Sequence, residues 1–135
     1  MSDTKKVLIL CTGNSCRSII AEALINALLE GVDAMSSGVK ASGKVNPHAK
    51  KLLQSKGLWR ESYHSKTLDS MMAQHYDMIV TVCDHAHENC PIFPRDIPQI
   101  HIGFEDPDGK EYEAFEACLV EIREVLLPKI KKTFN

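Results

Sequence analysis

What the chain lacks narrows the field first. Its net charge is only −2 at pH 7 over 135 residues. No strong field of one sign therefore draws it to nucleic acid or to an anionic membrane surface. No apolar run approaches the roughly 20 residues that a bilayer span needs. Residues 1–6 are polar and lead straight into the first apolar run, without the pattern of a signal peptide. Repeats, low-complexity stretches and Gly/Ser/Pro linkers are missing too. The expectation is a single domain over residues 1–135, cytoplasmic and monomeric, large enough to bury its own core.

Cysteine is not scarce: there are five. An odd count in a reducing compartment argues against a static disulfide framework and towards catalysis, redox cycling or metal binding.

The apolar pattern alternates strand and helix. Short apolar runs at 6–10, 33–37, 77–82 and 99–102 read as strands. Helical spacing predicts helices over 18–29, with Ser18 as N-cap, and over 47–57, with Asn46 as cap, Pro47 in the first turn and Gly57 at the end. Further helices are predicted over 67–75 and 111–132, the last kinked or restarted at Pro128. Such alternation implies an α/β fold: a single-domain, three-layer α/β/α arrangement around a four-stranded parallel sheet. Ligands in such sheets bind at the carboxyl ends of the strands. Cys11, Cys83 and the stretch from Gly103 to Asp106 all follow strand ends.

The richest segment is Cys11-Thr12-Gly13-Asn14-Ser15-Cys16-Arg17-Ser18. Between a strand and a helix, its backbone N–H groups form a cradle for a tetrahedral oxyanion. Gly13 permits close backbone approach or a positive φ, and Asn14 tolerates a left-handed conformation. Arg17 adds a bidentate fork to two oxygens of the anion. The same positive surroundings favour a Cys11 thiolate, towards which the Ser18 hydroxyl can donate. Cys16 is expected to pack, though it is also a spare thiol beside Cys11.

This loop resembles that of the low-molecular-weight tyrosine phosphatase fold. With the following Ile-Ile-Ala-Glu22 it looks most like the thioredoxin-coupled arsenate reductases within that family. Ser36-Ser37-Gly38, Val45-Asn46-Pro47, the stretch 80–94 and the stretch 103–110 extend the resemblance over essentially the whole chain. It implies oxyanion binding by Thr12, Gly13, Asn14, Ser15, Cys16, Arg17 and Ser18, with Cys11 as nucleophile and no cofactor. Asp106, in an Asp-Pro turn after the fourth strand, becomes the general acid that protonates the leaving oxygen; Glu105 beside it reads as a solvated neighbour.

The segment Cys83-Asp84-His85-Ala86-His87-Glu88-Asn89-Cys90 decides between chemistries. A phosphatase needs no second thiol pair, whereas a reductase must supply two electrons. The spacing permits a relay. The resemblance implies its order: Cys11 attacks arsenic, Cys83 attacks Cys11, and Cys90 attacks Cys83, leaving a Cys83–Cys90 disulfide for thioredoxin to reduce. Two other readings stay open. Cys83 and Cys90 also fit as small buried hydrophobes, as Cys118 does. Cys83, His85, His87 and Cys90 also offer zinc ligands, although Cys-x-His-x-His-x-x-Cys is not a usual structural pattern.

The alternative function is a phosphatase acting on phosphotyrosine or small phosphate esters, using the same Cys11, Arg17 and Asp106. It is disfavoured because Asp108-Gly109-Lys110 stands where such phosphatases place tyrosines to wall a phenyl ring. A non-enzymatic oxyanion or metal sensor would need less machinery than is present. Some relatives bind potassium through residues matching Asn14, Glu22 and Ser36 with a nearby aspartate. Here Lys66 stands near that place and Asp69 falls later, so weak or no ion dependence is expected.

Overall fold

The computed structural model describes residues 4–84, 86 and 96–134. Four strands, β1 (Lys5–Cys11), β2 (Val32–Gly38), β3 (Met78–Thr81) and β4 (Gln99–His101), form one parallel sheet in the order β2-β1-β3-β4. β1 and β3 are apolar along their length because both faces are covered. Val7 to Leu10 and Met78 to Val80 are all fully buried. The helices are α1 (Arg17–Leu28), α2 (Pro47–Ser55), α3 (Leu68–Met71) and α4 (Tyr112–Phe134). α1 and α4 pack on each other, and α3 leans on β2.

The expected strands are present. The helices differ in detail. α1 starts at Arg17 with Cys16 as its cap, not Ser18, and makes no side-chain cap bond. Ser18 is fully buried inside the first turn. Asn46 caps α2 as expected, its side chain accepting from the His48 N–H at 2.9 Å. The third helix is only the four residues Leu68–Met71, capped by Thr67. Tyr76 ends the segment by burying its ring and donating its hydroxyl to the Met71 carbonyl. α4 runs on through Pro128 instead of restarting, held by the buried Leu126, Leu127 and Ile130 around it. The helix loses one backbone bond there, which apolar burial on both sides outweighs.

The strand order places the site. From β1 the chain crosses to β2 on one side and later returns to β3 on the other. The crevice outside the carboxyl ends of β1 and β3 is therefore the topological switch point, where open α/β sheets bind ligands. Leu10 pairs with Thr81 in the register, so Cys11 and Cys83 leave the sheet side by side.

Candidate active site

The loop from Cys11 to Arg17 is held from outside by its carbonyls. Those of Cys11, Thr12, Gly13 and Ser15 accept from the N–H groups of Val39, Lys40, Ser42 and Asn46 at 2.9–3.0 Å. Ser65 Oγ adds a second bond to the Gly13 carbonyl at 3.1 Å. With carbonyls turned outward, the loop's N–H groups turn inward, towards the N-terminus of α1: an anion cradle.

Asn14 takes the left-handed turn, with φ 50°; among the described residues it is the one non-glycine with positive φ. Gly13 does not need that freedom. The fully buried Asn14 amide pays back the strain with three bonds. Nδ2 donates to Ser18 Oγ at 2.8 Å and Ser36 Oγ at 2.9 Å, and Oδ1 accepts from the Lys66 N–H at 2.7 Å. The glycine that the loop does require is Gly38, at the end of β2. A Cβ there would sit 2.6 Å from the Thr12 carbonyl.

Arg17 is pinned beside the cradle. Its Nη1 donates to the Phe104 carbonyl at 2.9 Å, and Nη2 lies 3.4 Å from Asp106 Oδ2. Its Nε is buried with no partner among the described residues, a donor of the kind an oxyanion satisfies. Asp106 follows β4 in a turn stiffened by the buried Pro107, with its Oδ1 accepting from the Asp108 N–H at 3.0 Å.

The Cys11 and Cys83 thiols are neighbours, and each shifts the other's acidity. Both are buried. Cys83 is drawn down to about 5, first by the Cys11 thiol donating to it, then by the Thr12 hydroxyl at 3.1 Å and the Ala86 N–H at 3.4 Å. Cys11 is held up, chiefly because its proton bridges to Cys83 and then by burial. Arg17 and the Thr12 N–H pull the other way. The Ser18 hydroxyl, expected to donate towards Cys11, accepts from Asn14 Nδ2 at 2.8 Å.

Cys11, Arg17, Cys83 and Asp106 converge on one edge. Cys16 and Cys118 fit the packing role: burial pushes their thiols up to about 11 and about 12. Cys90, and with it His85 and His87 of the zinc reading, lies outside the described residues. Among the described residues no group of His, Cys, Asp or Glu is arranged to hold a metal ion, and no helix is long and apolar enough to cross a membrane.

The residues for which the resemblance raised a cation site, Asn14, Glu22 and Ser36, are linked to one another through the Ser36 hydroxyl. Glu22 is buried and its carboxyl is raised by desolvation, while the Lys66 ammonium is the first group pulling it back; Ser36 Oγ also donates to it. The Lys66 ammonium itself donates to the His64 carbonyl at 2.8 Å, and the Asn14 amide nitrogen faces Ser36.

Two contacts at the site had no clear signal in the sequence. Lys66 reaches it through its backbone, and Asn46 joins the cradle to the acid turn, its Nδ2 donating to Asp108 Oδ1 at 2.8 Å.

Among known proteins, the chain is 38% identical over 133 residues to an arsenate reductase of Brevibacillus brevis, covering 98% of this chain and 96% of that one. It is 37% identical over 122 residues to an arsenate reductase of Staphylococcus aureus, covering 90% and 92%. The solved structure of an arsenate reductase from Archaeoglobus fulgidus superposes with a TM-score of 0.76 at 36% identity, covering 87% of this chain and 93% of that one. The family model of the low molecular weight phosphotyrosine protein phosphatases matches residues 6–133. The cradle and all but the end residues of the sheet and terminal helix fall within that match, and the chain belongs to this family.

Proposed function

We propose that this protein reduces arsenate to arsenite through a thiol relay. The observation that carries the reading is the second thiol, Cys83, which the pairing of β1 with β3 sets beside Cys11 at the oxyanion cradle, its Sγ 3.1 Å from Thr12 Oγ1. Hydrolysis has no use for a low-pKa thiol there. Reduction does.

In the first step Cys11 Sγ bonds to arsenic and one arsenate hydroxyl leaves. The thiol proton leaves with it as water, passed by Asp106. Arg17 and the inward N–H groups hold the remaining oxygens. In the second step the Cys83 thiolate attacks Cys11 Sγ. The S–As bond breaks with its electron pair left on arsenic, which falls from As(V) to As(III). Arsenite departs and a Cys11–Cys83 disulfide forms. In the third step Cys90 attacks Cys83 and frees Cys11. The Cys83–Cys90 disulfide is returned to two thiols by a dithiol donor of the thioredoxin type. One copy of the chain holds every thiol required, consistent with a cytoplasmic monomer that needs no cofactor.

The phosphatase reading shares the first step only. The nearest aromatic after the acid, Tyr112, is packed edge-on against His48, with Lys51 over its ring. Phe104 is buried. Neither walls an aryl ester. The test is an arsenate-dependent thioredoxin oxidation assay run beside hydrolysis of phenyl phosphate. Sustained arsenate turnover that Cys83→Ser abolishes, with slow ester hydrolysis surviving, is the expected result. Ester hydrolysis without arsenate turnover overturns the reading.

A further inference from the structure

Asp106 stands half exposed on a surface turn, with its Oδ2 near Arg17. An acid so placed protonates a leaving oxygen only if its height over the cradle is fixed. A chain of short bonds fixes it. The Ser15 carbonyl of the cradle accepts from the Asn46 N–H at 2.9 Å. The Asn46 side-chain amide donates to Asp108 Oδ1 at 2.8 Å. The Asp108 N–H donates to Asp106 Oδ1 at 3.0 Å. Asn46 itself cannot drift, because its Oδ1 caps α2 through the His48 N–H and Pro47 follows it. Its amide therefore has one oxygen committed to the helix and its nitrogen committed to the acid turn.

We propose that Asn46 and Asp108 form a strut that positions Asp106 over the cradle. Asn46 is a positioning residue, acting through Asp108, and never touches substrate. The proposal rests on the acid role given to Asp106 above. The strut spans from the N-terminus of α2 to the turn before α4, so it sets the acid relative to the anion rather than relative to the sheet. Sheet and strut together fix two ends of the same turn. Lys110 N–H closes that turn on the Pro107 carbonyl at 3.0 Å.

The test uses the full chain and two esters. Phenyl phosphate needs a proton on its leaving oxygen; 2,4-dinitrophenyl phosphate does not. Single-turnover oxidation of Cys11 and Cys83 by arsenate, whose leaving hydroxyl also needs a proton, is the third readout. Asn46→Ser keeps a capping oxygen but removes the amide donor. It should lower kcat/KM for phenyl phosphate and the arsenate rate about fivefold, the effect of one lost hydrogen bond, while leaving the dinitrophenyl ester unchanged. Asp108→Ala should match it, and the double variant should be no worse than either. Asn46→Asp keeps the cap and sets a carboxylate against Asp108, so it should be slower still. Combining it with Asp108→Asn reverses donor and acceptor and should restore the rate. If Asn46→Ser slows all three readouts together, or none, or if the exchanged pair fails to recover, the strut is wrong. Asp106→Asn is run alongside. If that variant does not separate the two esters, the acid role of Asp106 itself fails, which is a different outcome from failure of the strut.

Discussion

Thr12 Oγ1 lies 3.1 Å from Cys83 Sγ, across 71 residues of chain. The strand order brings them together, because Thr12 follows β1 and Cys83 follows its neighbour β3. The hydroxyl is one of the donors that hold the Cys83 thiol down to about 5. A resolving thiol that is already ionised attacks without waiting for a base.

Thr12→Val removes that donor at almost constant volume. The Cys83 pKa should rise by about one unit. At pH 5 the thiolate fraction, and with it the rate of Cys83 alkylation by iodoacetamide, should fall about fivefold. By pH 8 wild type and variant should label alike. Peptide mass spectrometry reads both. Equal labelling at pH 5 would remove the hydroxyl from the account.

Cys11→Ser should abolish arsenate reduction and ester hydrolysis together, since a serine hydroxyl is a far weaker nucleophile than a thiol in this loop. Cys83→Ser should separate them: the first adduct forms, but arsenite is not released. Quantifying arsenite in a single turnover checks this. Arsenite release from Cys83→Ser at the wild-type rate would place the second thiol elsewhere.

Lys66 and Glu22 predict a pH-dependent stability. Burial raises Glu22, so its ionised form opposes folding. That penalty is absent below the ordinary carboxylate pKa and grows as pH rises through the folded value. The Lys66 ammonium offsets it. Lys66→Gln should therefore destabilise the protein at pH 7 by less than about 1 kcal/mol, because solvent screens the partly exposed ammonium. The difference should shrink as pH falls and Glu22 takes up its proton. Thermal melts across this range measure it, and a constant difference would show that Lys66 acts through packing alone. Potassium and sodium chloride should shift the melting temperature equally; a rise with potassium alone would show a selective cation site at Asn14, Glu22 and Ser36.

Gly38→Ala should damage the cradle from behind. The new methyl would press on the Thr12 carbonyl from 2.6 Å, and on Asn14 Cβ and Ala41 Cα from 3.1 Å. A backbone neighbour cannot swing away as a long side chain can. A loss of about 1–3 kcal/mol is expected, together with weaker protection of Cys11 by phosphate against alkylation. Unchanged protection would mean that the loop is more pliant than its bonding suggests.

The sequence revealed the parts that depend on one segment at a time. Apolar runs marked the strands, Asn46-Pro47 marked the start of α2, and the Cys11–Arg17 spacing marked the cradle. Parts that depend on distant neighbours were less legible. Ser18 looked like a cap because its type suits one, but Asn14 claims its hydroxyl inside the fold. The expected third helix stops early because Tyr76 competes for the Met71 carbonyl. The bond of Lys66 to Asn14 is through the backbone, which every residue type offers. The bond from Asn46 to Asp108 joins residues 62 apart, and no local pattern announces such a pair.

The strand order has one more consequence. β1 and β3 touch, but most of the first half of the chain lies between Cys11 and Cys83. In the proposed relay, their disulfide would close a loop of about 70 residues and remove on the order of 4 kcal/mol of unfolded-state freedom. The next exchange would open it again. Each turnover would thus clamp and unclamp the centre of the sheet, and the enzyme would be hardest to unfold at the moment it releases its product.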